Sequence, residues 1–284
     1  MPHMTKILPP LFLSHGSPMT AIEPRAAGAF LQRLGPAIEA TFGRPRAVLV
    51  ISAHTLVREP VLLAAAGHAA VHDFHGFPDE LYQLRYDAPG APELATQVQG
   101  LLSAAGLPVH RAEVGGLDHG IWTPLRWMWP QGDLPVLPLG LVPDWTPAQL
   151  HALGRALQPL TREGVLIIGS GSLTHNLRMV FGSSQPAIDA PEVPASAAFR
   201  QWVADRAAAA DWAALADYRR QAPHAALMHP TDEHWLPWYP AGGAAGERAA
   251  GLRLHDSVTF GCLAMDAYAF GPAAPELALA LAAH

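Results

Sequence analysis

The sequence predicts an α/β fold, a single domain with a central, mainly parallel (mixed) sheet flanked by helices. Three observations carry this. Short apolar runs, each cut off by a polar turn, alternate with helix-period segments over about the first 170 residues. No composition break marks a linker, and no repeat of fixed period is visible. A length of 284 residues, half of them apolar, is enough for a full core.

The elements follow in order. Ile7 to Ser14 (ILPPLFLS) and Ala47 to Ala53 (AVLVISA) read as buried strands, because continuous apolar runs of that length suit a sheet covered on both faces. Pro135 to Val142 (PVLPLGLV) is a further strand whose prolines put it near an edge or shorten it, and Val165 to Gly169 (VLIIG) is another. Between them Gly28 to Thr41, Ala91 to Ala105 and Thr146 to Leu160 have helical spacing. The last opens on Thr146-Pro147, an N-cap followed by proline at the first helical position. Pro194 to Tyr218 reads as one or two amphipathic helices, and Ser257 to Ala269 as a closing strand that returns to the sheet. Phe181 to Val193 and Pro237 to Gly251 read as the longer loops. One domain over residues 1–284 is the simplest organisation.

Composition excludes several classes of function. The formal charge is −6, and a single lysine, Lys6, stands among scattered arginines, so there is no nucleic-acid footprint. No stretch reaches the roughly 20 apolar residues that cross a bilayer. Met1 to Pro10 lacks the apolar core of a secretory signal, so the expected location is cytoplasmic, as a monomer or small homo-oligomer. One cysteine, Cys262, excludes a disulfide framework and a cysteine-built zinc cluster. Any metal must therefore be held by histidine and carboxylate.

Histidine is abundant, at 15 residues. In an open α/β sheet ligands bind beyond the carboxyl ends of the strands, where loops diverge and side chains converge. His15 follows the first strand directly, His54 follows the second in the same way, and His175 lies shortly after VLIIG. Three histidines are thereby aimed at one edge of one sheet, a pattern with no reason to repeat among unrelated surface residues. His119, in GLDHGIW, and His234, in HPTDEHW, each stand beside an acid and near a tryptophan in turn-like segments. Alternatively, Asp118 caps a loop at His119, and Thr231 caps a short helix at His234. His72 and His75 flank Phe74 in a segment that can wall a pocket. The other histidines, among them His3 and His284, read as surface or locally bonded residues. Gly169 to Ser172 (GSGS) lacks the glycine spacing and lysine of a phosphate loop, and no G-x-S-x-G elbow is present.

FLSHGSPM, VISAHT, HDFHGFPDELYQLRYDAPG, GLDHGIW, GSGSLTHNL and PTDEHWLPW, in that order, resemble the class III extradiol ring-cleavage dioxygenases, in the single-subunit branch of 4,5-DOPA extradiol dioxygenase-like enzymes. The resemblance runs from about Leu11 to Gly271. It implies an enzyme that opens a catechol-type ring with O2 to a semialdehyde, with Fe(II) for activity and Zn2+ possible in the isolated protein. Residue by residue, it assigns His15, His54 and His234 as metal ligands, with Glu233 as the competing third ligand. It makes His175 the acid/base and sets His119 on the substrate side. Two further readings remain open: a zinc-dependent hydrolase using the same histidines, and a non-catalytic metal-binding relative.

The chemistry explains why such residues are needed. A facial set of three protein ligands leaves positions for two catechol oxygens and O2, and a neutral imidazole titrating near neutrality suits proton removal from the catechol. Trp122, Trp235, Phe74 and Phe77 are candidates for an apolar slot around the ring. His75 and His229 stand where they can alter which substituent the ring carries, and a carboxylate on it would find a cation in His75, His229 or Arg178.

Overall fold

Six strands form the main sheet: β1 (Leu11–Ser14), β2 (Ala47–Ser52), β3 (Val136–Pro138), β4 (Val165–Gly171), β5 (Gly251–His255) and β6 (Ala267–Phe270), in the order β3-β2-β4-β1-β6-β5. The structure, a computed structural model, describes residues 6–183 and 185–283; His3 and His284 lie outside them. β3, β2, β4 and β1 are mutually parallel, and β6 and β5 continue the sheet antiparallel. The sheet is mixed, as expected, and β3 is at an edge, where its proline costs no interior ladder bond.

Alternation along the strands divides the core in two. Leu11, Leu13, Val48, Val50, Leu166 and Ile168 face helices α1 (Arg25–Phe42), α3 (His119–Met128) and α8 (Ala274–Ala282). Phe12, Leu49, Ile51, Val165 and Ile167 face α2 (Pro92–Ala104), α4 (Pro147–Leu157), α6 (Pro194–Ala208) and α7 (Trp238–Ala244). Both faces are covered, which is why these strands are apolar throughout instead of alternating with polar residues. α4 begins as expected: Thr146 Oγ1 accepts from the Gln149 N–H and the Gln149 side chain accepts from the Thr146 N–H, a reciprocal cap contributing about 1 kcal/mol. Among the described residues no helix is long and apolar enough to cross a membrane.

Two segments differ from the sequence reading. Pro237 to Gly251 contains α7, hidden from a propensity argument by Pro240, Gly242 and Gly243. Those glycines serve packing: a Cβ on Gly243 would stand 2.2 Å from the His151 carbonyl, and one on Gly154 would stand 2.2 Å from that of Pro240. α7 therefore lies against α4 at a distance only glycine permits. Ser257 to Ala269 divides into a small hairpin, Val258–Thr259 with Leu263–Ala264, and the true closing strand β6. Phe181 to Val193 is largely irregular, as expected.

Candidate active site and metal centre

The sheet order places β4 between β1 and β2, so their carboxyl ends form one ledge. His15 is the first residue past β1, and its N–H donates to the Gly171 carbonyl at 3.0 Å. His54 lies two residues past β2, its N–H held by Ser52 Oγ at 3.2 Å. His234 arrives from the turn before α7, and its carbonyl accepts from the Ser172 N–H at 2.9 Å. Gly171 is required there, because a Cβ would stand 2.1 Å from the His234 carbonyl oxygen. The His175 N–H donates to the Met228 carbonyl at 2.8 Å. His119 opens α3 and is bound not by Asp118 but by Asp73, whose carboxylate accepts from the His119 N–H and from Nδ1–H, both at 2.9 Å.

The five imidazoles form one cluster. His54 Nε2 lies 3.1 Å from His15 Nε2 and 3.2 Å from His234 Nε2. The outer nitrogens fix the tautomers. Ser170 Oγ gives its hydrogen to the Gly120 carbonyl at 2.5 Å, so at 3.0 Å from His15 Nδ1 it acts as acceptor. His15 Nδ1 then bears the hydrogen and Nε2 the lone pair. The Glu233 carboxylate accepts from His234 Nδ1 at 3.1 Å, with the same result at His234 Nε2. A hydrogen on His54 Nε2 could serve only one of these two lone pairs. A divalent cation placed among them would serve all three nitrogens, and outer partners of this kind are how proteins orient metal-binding histidines.

Two triads bring ligand atoms within 4.8 Å of one another, His15 with His54 and His119, and His175 with Glu233 and His234, whereas His15, His54 and His234 are joined through the two Nε2 contacts on His54. Ring orientation separates the second of these triads. His175 is stacked on His234, centroids 3.5 Å apart and planes 11° from parallel, so their lone pairs run side by side instead of converging. His119 gives Nδ1–H to Asp73 and so offers Nε2 as His15 and His234 do, its ring 4.0 Å from that of His54 and tilted by 48°. Glu233 reaches the His234 ring on the outer side.

Burial resists charge here. The His15 and His234 rings are held well below the ordinary imidazole range, first by burial and then by neighbouring imidazoles, and His54 is pushed down to about 3 by burial and then by His119, against the opposing pull of Asp73. His175 is lowered by burial as well. Neutral imidazoles are what a metal requires. Partial desolvation favours the acid form of Asp73, yet hydrogen bonds from His119 outweigh this and hold it below the usual carboxylate range. Asp118 goes the other way, raised by burial against the hydrogen bonds from Ser52 Oγ at 2.7 Å and Thr55 Oγ1 at 2.6 Å. Through these two bonds Asp118 ties the end of β2 to α3 and sets the backbone that carries His54.

A cavity of about 310 Å³ opens onto the cluster, at the small end of the roughly 300–1,000 Å³ usual for ligand pockets. Phe74 and Phe77 line it, as expected. The other expected substrate contacts do not. Trp122 is 0% exposed and spends its indole N–H on the Val71 carbonyl in the core. Trp235 is stacked on Trp238 in the opposite core. His229 is also 0% exposed, donating from Nε2 to the Leu173 carbonyl among Phe199, Tyr218 and Trp235. His75 is exposed on the loop beside Phe74, outside the cavity lining. Thr231 caps no helix; its hydroxyl donates to Glu233, and the helix begins only at Trp238.

Sequence reasoning missed the supports: Asp73, Ser170, Ser52 and Gly171. A signal existed in the serines that end the strands, Ser14, Ser52 and Ser170, all buried beside the histidines. Asp73 could have been singled out as the carboxylate inside HDFHG.

Comparison with known proteins agrees with this architecture. The chain is 38% identical over 261 residues to a 4,5-DOPA dioxygenase extradiol of Beta vulgaris, covering 91% of this chain and 95% of the relative. It is 33% identical over 266 residues to the protein of that name from Escherichia coli K12, covering 91% and 93%. A crystal structure of an uncharacterized protein from Escherichia coli K12 superposes with a TM-score of 0.72 at 28% identity, covering 93% of this chain and all of the other. Residues 9–270 match the family model of the catalytic LigB subunit of aromatic ring-opening dioxygenase. The chain therefore belongs to the LigB family and is an extradiol ring-opening dioxygenase.

Proposed function

We propose that His15, His54 and His234 hold one divalent metal, Fe(II) in the active form, and that a catechol is opened in the cavity above it. The observation that carries this is the meeting of three Nε2 atoms at 3.1 and 3.2 Å, two of them with lone pairs fixed by Ser170 and Glu233. A bound Fe(II) supplies the electron transfer that lets triplet O2 react with a singlet catechol, which no side chain here can do. The relatives are named for DOPA; the part of that name carried over to this chain is the catechol ring.

The remaining roles belong to side chains. Phe74 and Phe77 flank the ring and exclude water. His175 lines the cavity beside the ligand set without converging on it, and it takes the proton of a catechol hydroxyl and later returns it. His119, with Nδ1–H given to Asp73, presents Nε2 to the cavity as an acceptor that holds the substrate side. All of these groups lie on one domain, which carries the whole reaction.

The test is metal replacement. Stripped protein reloaded with Fe(II) should consume O2 and catechol one to one and form a yellow ring-opened product, while zinc-loaded protein should do neither. Hydrolysis by the zinc form without O2 uptake would overturn the proposal.

A further inference from the structure

We infer that Phe260 is a specificity-determining residue of the catechol site: its ring is the partition that sets how large a substituent the cavity admits. This rests on the catechol reading above and adds a residue to it. Phe260 lines the histidine cavity, a second cavity of about 200 Å³ bordered by Thr20, Arg25 and Asp189, and a third of about 390 Å³ beside Arg178 and Met179. Among the described residues it alone lines all three.

The backbone at this position is one that a phenylalanine resists. The Cys262 N–H donates to the Thr259 carbonyl at 3.2 Å, and both residues inside that turn have positive φ, 54° at Phe260 and 64° at Gly261. Such a turn ordinarily takes Asn-Gly or Gly-Gly. Gly261 meets the rule and is needed for close approach as well, since a Cβ there would stand 2.6 Å from the Pro191 carbonyl oxygen. Phe260 breaks it, and strain of that kind gathers where a side chain serves a site.

The surroundings pin the turn in place. The Phe260 N–H donates to the Ile188 carbonyl and the Val193 N–H to the Gly261 carbonyl, both at 2.8 Å. On the inner side the buried Thr174 Oγ1 donates to the Cys262 carbonyl at 2.7 Å and accepts from the Ala264 N–H at 2.8 Å. Thr174 directly precedes His175, so the hairpin and the acid/base share one anchor. The Phe260 side chain packs against the cluster of Cys262, Leu263 and Val180 of α5 (Leu177–Phe181). A wall held this way has little room to give, and it excludes by size.

The experiment removes one phenyl group from the wall and offers one to the site. Phe260→Ala and Phe260→Gly are compared with the unaltered enzyme on 4-methylcatechol and on 3- and 4-benzylcatechol, which present the added ring from either position. Binding is measured by calorimetry on the redox-inert zinc-loaded protein, and ring opening on the Fe(II)-loaded protein. In both variants kcat/KM for at least one benzylcatechol relative to methylcatechol should rise at least about tenfold, with the ratio of Kd values moving the same way. Phe260→Gly should have the higher urea midpoint of the two, the reverse of the order in a helix or strand, because only glycine suits the turn. Preference ratios unmoved in the folded variants, or equal midpoints, would overturn the inference while leaving the proposed function standing. Failure of the unaltered enzyme to open any of the three catechols would overturn both.

Discussion

The backbone of Gly171 and the carbonyl of His234 approach so closely that a side chain at 171 is excluded: a Cβ would stand 2.1 Å from the oxygen. This contact seats the His234 turn on the end of β4, beside the residue whose carbonyl receives the His15 N–H. Gly171→Ala should therefore push the turn away and spread the ligand set. A loss of about 1–3 kcal/mol in urea unfolding and at least about a tenfold fall in metal affinity are expected. Unchanged metal titration in the folded variant would show that the approach does not position His234.

Ser170 links two functions through one oxygen, giving its hydrogen to Gly120 and accepting that of His15 Nδ1. Ser170→Ala frees the His15 ring to take the other tautomer. Metal affinity should fall about 10- to 100-fold with little change in unfolding cooperativity, read by competition with a chelator. Retention of full affinity would mean that the hydroxyl does not set the tautomer.

His175 is stacked on His234 without sharing its direction. His175→Ala should keep one metal per chain, by elemental analysis, while turnover drops about 10²- to 10⁴-fold. Loss of metal in step with activity would instead make His175 a ligand.

His229 is buried and neutral, its ring pushed down to about 4 by burial, against the pull of the Leu173 carbonyl. The unfolded chain takes up a proton near pH 6.5, whereas the folded chain does so only near 4. Stability is therefore complete above about pH 6.5 and declines as the pH falls to 4, by about 3 kcal/mol from this residue. In metal-free protein His229→Gln should flatten that acid limb, measured as the pH dependence of the urea midpoint. Parallel profiles for variant and parent would contradict this.

Much of the fold and site is legible because burial on both faces writes the parallel strands as apolar runs, and the residue that ends each run is placed at the ligand edge by topology alone. His15 and His54 are found this way. His234 is different: it comes from a turn more than 60 residues beyond β4, and although its acid and tryptophan neighbours marked it as a candidate, only the motif resemblance made it a ligand. The supports around it depend on tertiary contacts, as with Asp73 on His119, and leave no local periodicity. Trp235 shows the opposite failure, since adjacent residues in a turn face different ways and proximity to His234 in sequence says nothing about sharing its cavity. α7 was missed because Pro240 and its glycines look like a loop until α4 is laid against them.

The central claim is that three imidazoles meet at one ion. Zinc K-edge absorption of the zinc-loaded protein should give three imidazole nitrogens at about 2.0–2.1 Å, and two in His54→Ala. A shell with one imidazole or none, unaltered by that substitution, would contradict the account.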